Sequence, residues 1–128
     1  MVKALIADDK AIMRDLLKVI LREIDIIDVI ETSNGVSALE MFNKYQPDII
    51  FLDINMPEKD GLQVLREIKE VNPQAFVIMV SGHSSMENVK TSIDYSADGF
   101  IAKPYNSKKV IDLLIQRDES SPEDIKVI

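Results

Sequence analysis

Ile49-Ile50-Phe51-Leu52 is apolar at every position and runs straight into a carboxylate, Asp53. Strict alternation would mark a strand with one wet face. An unbroken apolar run bounded by polar residues instead marks a strand buried on both faces, the situation of a central strand in a parallel sheet covered by helices. Working outward, four more short runs read as strands: Val2–Ala7, Val29–Glu31, Ala75–Val80 and Gly99–Ala102. The intervening stretches repeat at helical spacing. The clearest is the stripe Met13, Leu16, Leu17, Ile20, Leu21 and Ile24. A second helix runs from about Val36 to Tyr45, after the turn Asn34-Gly35 and before Pro47. A third starts near Gly61-Leu62 and ends before Asn72-Pro73. Ser84-Ser85-Met86-Glu87 contains a capping box with Ser84 as cap, opening a fourth helix with an inward stripe of Met86, Val89 and Ile93. Asn106 or Ser107 caps a fifth helix that reaches about Arg117.

Five strands alternating with five helices in so short a chain require right-handed crossovers, hence a doubly wound parallel α/β sheet. The expected fold is flavodoxin-like, (βα)5, with strand order 2-1-3-4-5. One domain covers residues 1–117. Residues 118–128, with Asp118, Glu119, Glu123 and Asp124 around Ser120-Ser121-Pro122, read as an acidic solvated tail without an output domain. Excision from a longer chain after the fifth helix stays open.

Composition excludes several chemistries. The 128 residues contain no cysteine, which removes disulfides, thiol catalysis and thiolate metal sites. A formal net charge of −7 without a basic stripe argues against direct nucleic-acid binding. The apolar run before Asp8-Asp9 is too short for a signal-peptide core or a membrane span, so the expectation is a cytoplasmic protein.

An open α/β sheet gathers its ligand site at the carboxyl ends of its strands. Those ends carry Asp8-Asp9, Asp53, Ser81 and Lys103. In the 2-1-3-4-5 order the strands ending in Asp9 and Asp53 are neighbours, roughly 4.8 Å apart, so three carboxylates meet at the switch point. Like charges that close call for a cation, and oxygen-only ligands with room for water suit Mg²⁺. Lys103, followed by Pro104, reaches the same cleft as a point charge suited to phosphate oxygens. Asp53, the lone carboxylate opposite the pair, is the candidate nucleophile for an acyl phosphate. Three anions, a divalent cation, a lysine and a hydroxyl form a device for placing a phosphoryl group.

These pieces together resemble the receiver domains of two-component response regulators, particularly stand-alone CheY-like ones. The matching elements are Asp8-Asp9, Asp53-Ile54-Asn55-Met56-Pro57 with Asp60-Gly61, Val80-Ser81-Gly82 and Phe100-Ile101-Ala102-Lys103-Pro104, within about Val2 to Gln116. The resemblance implies that Asp53 accepts a phosphoryl group from the phosphohistidine of a histidine kinase or phosphotransfer protein. It implies that Asp9 and Asp53 bind Mg²⁺ directly, with the Asn55 backbone carbonyl, and Asp8 through water. Ser81 and Lys103 would each meet a phosphoryl oxygen, and Lys103-Pro104 would be a cis peptide that aims the lysine inward. Phe100 holds the switch-aromatic position: movement of Ser81 toward the phosphate lets the ring turn inward and remodels the face of helix four, strand five and helix five. Phe100→Ala is then expected to spare phosphorylation and weaken partner discrimination. Asn55 and His83, two residues beyond Asp53 and Ser81, take positions that tune phosphate lifetime, His83 by contacting or shielding the phosphoryl group or attacking water.

The expected function is a phosphorylation-controlled signalling module with autophosphorylation and autodephosphorylation only. Output would pass to a downstream protein through the helix four–strand five–helix five face, with chemotaxis and a flagellar motor switch protein favoured. A phosphate sink, a relay intermediate and a degenerate protein-binding scaffold are the alternatives in that class. From another class, a small Mg²⁺-dependent phosphatase would also use an aspartate nucleophile, but such enzymes place it after the first strand. Here it follows the third. The stretch from Ser96 to Val110 does not show the charge set of dimerising receivers clearly, so a monomer is expected.

Overall fold

A computed structural model describes residues 2–82, 85–117 and 126–127. Five strand–helix units follow one another: β1 (Lys3–Ala7), α1 (Ala11–Glu23), β2 (Asp28–Thr32), α2 (Gly35–Tyr45), β3 (Ile49–Asp53), α3 (Gly61–Val71), β4 (Phe76–Ser81), α4 (Met86–Asp94), β5 (Gly99–Ala102) and α5 (Ser107–Gln116). All pairings are parallel. The strand order is the expected 2-1-3-4-5, extended by a two-residue β6, Lys126–Val127, on the outer edge of β5.

Every residue of β3 is buried, as the apolar run requires, and successive side chains feed opposite layers. Ile50 and Leu52 join Leu5, Phe42, Leu65 and Met79 in one core. Ile49 and Phe51 join Ile6, Leu17, Ile20, Ile78 and Leu113 in the other. The first core takes its helical residues from α2 and α3, the second from α1 and α5. Burial on both faces fixes the register, because a one-residue slip would exchange the two layers wholesale.

Four details depart from the sequence reading. In α1 the stripe is narrower: Leu17, Ile20 and Leu21 are buried, whereas Leu16 is 38% exposed. In α4 the inward face is different. Met86 is 84% exposed and Ile93 46%, while Val89 packs on the core and Ser92 is buried, its hydroxyl donating to the Asn88 carbonyl at 2.8 Å. A short polar side chain that bonds back to its own helix can face the interior without an orphaned hydroxyl, and apolar periodicity does not see it. The cap of α4 is Ser85, which accepts from the Asn88 amide at 3.1 Å; Ser84 lies outside the described residues. Finally, Lys126 and Val127 pair with Gly99 and Phe100, so the end of the expected solvated tail meets the sheet. An edge strand offers unpaired backbone groups to any nearby chain. α5 begins as expected on Asn106, which accepts from the Lys109 amide at 3.0 Å.

Among the described residues no helix is long and apolar enough to cross a membrane.

Candidate functional site

β1, β3, β4 and β5 all deliver residues to one end of the sheet. Asp8 leaves β1 immediately after Ala7, Asp53 is the last residue of β3, Ser81 the last of β4, and Lys103 follows Ala102 of β5. Register does the gathering. Asp53 lies opposite Val80, and Ser81 opposite Ala102, so the strand ends are level across the sheet. Backbone bonds hold the segments together: Ile54 donates to the Val80 carbonyl at 3.1 Å and Lys103 to the Ser81 carbonyl at 2.8 Å.

The three carboxylates meet. Asp8, Asp9 and Asp53 each offer an oxygen within 4.8 Å of the others. Asp8 and Asp53 are buried and Asp9 is exposed. The Asp8 carboxylate accepts the Lys10 amide on Oδ1 at 2.9 Å and the Lys103 ammonium on Oδ2 at 2.9 Å. Lys103 Nζ also lies 3.6 Å from Asp53 Oδ1. Lys103 and the Lys10 ammonium, 3.7 Å from Asp9 Oδ1, set two cations against three acids and leave the cluster short of positive charge. The cost appears on Asp53, whose pKa is pushed up to about 6, first by burial and then by Asp8, with Lys103 pulling the other way. An oxygen-only set with one solvent-facing member and a surplus of negative charge fits a hard divalent cation such as Mg²⁺. The acidic cluster can hold that ion.

Asp53 and Lys103 line a cleft of about 420 Å³ with Lys10, Met13, Asn55 and Gly82. Asn55, exposed, is thus at the mouth. Ser81 is fully buried at the strand end, and the Lys103-Pro104 bond is cis. His83 lies outside the described residues. Phe100 is completely buried in the core on the α2–α3 side, so its ring already lies inward. Its truncation is therefore a core deletion. Phe100→Ala should lower stability by about 3–5 kcal/mol, read from the urea midpoint; a loss below about 1 kcal/mol would mean the ring is not seated as described.

Two features escaped sequence reasoning. Arg14 in α1 donates from Nη1 to the Asp8 carbonyl at 2.8 Å and pairs through Nε with Glu31 of β2, tying the acidic turn to the neighbouring strand. Tyr105, two residues after Lys103, buries its hydroxyl with no hydrogen-bond partner among the described residues. The only signal for it was a polar aromatic in a segment that had to re-enter the core.

The response regulator receiver domain family matches residues 4–115. Chemotaxis protein CheY of Halobacterium salinarum is 40% identical over 113 residues, 88% of this chain and 92% of that one. Chemotaxis protein CheY of Listeria monocytogenes is 40% identical over 114 residues, 89% of this chain and 96% of that one. Among solved structures, a CheY-like receiver domain protein from Methanospirillum hungatei superposes with a TM-score of 0.84 at 26% identity, over 94% of this chain and 99% of that one. A family match that spans almost all of the five strand–helix units, together with relatives this similar over nearly their whole length, makes this chain a member of the response regulator receiver domain family, of the CheY-like kind.

Proposed function

We propose that the protein is a stand-alone response regulator whose Asp53 accepts a phosphoryl group from the phosphohistidine of a histidine kinase or phosphotransfer protein, in a Mg²⁺-dependent reaction. The observation that carries this reading is the placement of Asp53. It is a buried carboxylate at the end of the central strand, with Asp8 beside it and the Lys103 ammonium 3.6 Å from its oxygen. A carboxylate oxygen of Asp53 forms the new O–P bond as the P–N bond of the donor breaks, and the departing imidazole takes its proton from solvent. Lys103 meets the charge on one phosphoryl oxygen and the Ser81 hydroxyl donates to another. Such transfer is mainly positioning and charge neutralisation, which this cleft supplies without further covalent machinery. Bound at Asp9, Asp53 and the Asn55 carbonyl, with Asp8 behind a water, Mg²⁺ would supply the missing positive charge.

The output is binding to a downstream protein through the face of α4, β5 and α5. Met86 and Ile93 stand exposed on α4, apolar side chains of the kind a protein partner covers. The relatives named as chemotaxis proteins support a chemotaxis output, with a flagellar motor switch protein the first target to try. The protein acts as a monomer in the cytoplasm, with no nucleic-acid or membrane partner.

Treatment with acetyl phosphate and Mg²⁺ should add a single phosphate to the intact mass of wild-type protein, none in the presence of a chelator and none on Asp53→Asn. Wild type that stays unmodified, by acetyl phosphate and by a cognate kinase alike, would refute phosphoacceptance. The decay of the adduct, compared between wild type and His83→Ala, reports whether His83 tunes its lifetime; identical decay at every pH removes His83 from that role.

A further inference from the structure

β5 is four residues long, Gly99–Ala102, and pairs with β4 along its whole length. On its other side it is only half covered. Gly99 lies opposite Lys126 and Phe100 opposite Val127, while Ile101 and Ala102 have no strand on that side among the described residues. The uncovered half is the one that runs on into Lys103 and the acidic cleft. A two-residue strand such as β6 is far shorter than an ordinary one, and its ladder is correspondingly weak. An extended chain that paired with all four residues of β5 would make a longer ladder on the same edge.

The flank of α4 shows what such a chain would carry. Thr91 and Tyr95 turn toward α3, with which they line a cleft, while Val89 packs on the core and Ser92 is buried. At 3.6 residues per turn, Met86 and Ile93 then emerge together on the flank away from α3, the side of the β5 edge. They are 84% and 46% exposed. A strand on the β5 edge points alternate side chains toward each face of the sheet, so every second one meets this apolar flank. The C-terminal sequence has that chemistry, with β-branched Ile125 and Val127 two residues apart. We propose that the outer edge of β5 is a strand-accepting site, held in the free protein by the chain's own Lys126–Val127 and taken in the output complex by an extended, alternately apolar segment of the downstream protein, which displaces β6. This rests on the reading of α4, β5 and α5 as the output face.

The test frees the edge and offers it a strand. Proline has no amide to give to a ladder, so the full chain carrying Lys126→Pro and Val127→Pro loses β6. The probe is a synthetic peptide with the sequence of residues 121–128, titrated into ¹⁵N-labelled protein. In the proline variant the amide resonances of Gly99–Ala102 should shift saturably, with a Kd on the order of millimolar, the effective concentration of a segment tethered in the same chain. Wild type should need about tenfold more peptide or beyond, because its own segment competes. Adding Met86→Ser and Ile93→Ser to the proline variant should weaken the peptide at least about threefold, through lost apolar contact; unchanged affinity would remove the α4 flank and the alternately apolar partner with it. Equal affinity for wild type and the proline variant, shifts confined to other elements, or no shift in the variant would each overturn the strand-accepting site. So would a fall in Tm of more than about 8 °C in the proline variant, which would make β6 a structural strand of the fold. The titration involves neither Asp53 nor phosphoryl transfer, so a failed peptide and a failed phosphorylation are separate results.

Discussion

Asp53→Asn should make the cation-free protein more stable at pH 7 by about 2–3 kcal/mol, a rise of about 6–12 °C in Tm. The folded pKa of Asp53 is about 6 against an ordinary 3.8, so the native state holds a proton that the unfolded state has released between those values. Stability then falls as pH rises from about 4 to about 6, and the full penalty is present above the folded pKa. Asparagine removes the charge that burial and Asp8 oppose, and it leaves Lys103 its 2.9 Å bond to Asp8. Thermal melts in chelator at pH 7 and below pH 4 check the sign: the gap between variant and wild type should close at the lower pH, where wild-type Asp53 is already neutral. Added Mg²⁺ should raise the Tm of wild type more than that of the variant, because an ion that binds only the folded state stabilises it according to its affinity. A variant no more stable than wild type in chelator at pH 7 would mean that Asp53 carries no such penalty.

The same penalty bears on how legible the site was. Acids at the ends of adjacent parallel strands must meet whatever the details of packing, because strand spacing and level register fix their separation; Asp8, Asp9, Asp53 and Lys103 were therefore readable before any coordinates. The doubly wound sheet was readable for a similar reason, since an apolar run such as Ile49–Leu52 has no stable home except between two helical layers. What escaped depends on orientation about a helix axis or on single polar atoms. Met86, Val89 and Ile93 satisfy a helical period, yet the sheet takes Val89 and Ser92, because Ser92 satisfies its own hydroxyl on the preceding turn. Ser84 and Ser85 offer identical chemistry one residue apart, and only the path of the chain selects Ser85. A pairing of two residues, Lys126 and Val127, against β5 lies below any periodic signal. The Tyr105 hydroxyl carries no pattern at all: its ring obeys the core rule and its oxygen breaks it.

Gly61→Ala should be among the most damaging single substitutions in the protein, although alanine is the better helix former. A Cβ at Gly61 would lie 2.1 Å from the Asp53 carbonyl oxygen, 2.9 Å from its carbonyl carbon and 3.0 Å from Ile54 Cα. These are backbone atoms of the central strand end, so relief requires α3 or Asp53 itself to move. The roughly 1 kcal/mol that alanine gains from helix propensity is small beside the ~3 kcal/mol or more expected from such overpacking. The functional loss should be larger still. Gly61 also donates to the Ile54 carbonyl at 2.8 Å, so the helix start and the nucleophile's strand are one unit. A displacement of about 1 Å at a reacting group is worth on the order of 100-fold in rate. Phosphorylation of Gly61→Ala, measured by intact mass at a temperature where circular dichroism shows it folded, should be slowed at least tenfold. Gly82 provides the control at the same cleft, since a Cβ there meets nothing within 4 Å among the described residues, and Gly82→Ala should change stability by less than about 0.5 kcal/mol. Gly35 has the matching role from the other side: its Cβ would fall 1.9 Å from the Lys59 carbonyl oxygen, and its amide donates to the Pro57 carbonyl. The loop that carries Asn55 is thus clasped between the starts of α2 and α3, by backbone approaching backbone where only glycine fits. Equal stability and equal phosphorylation of Gly61→Ala and wild type would show that the clasp is loose and that Asp53 is positioned by the sheet alone.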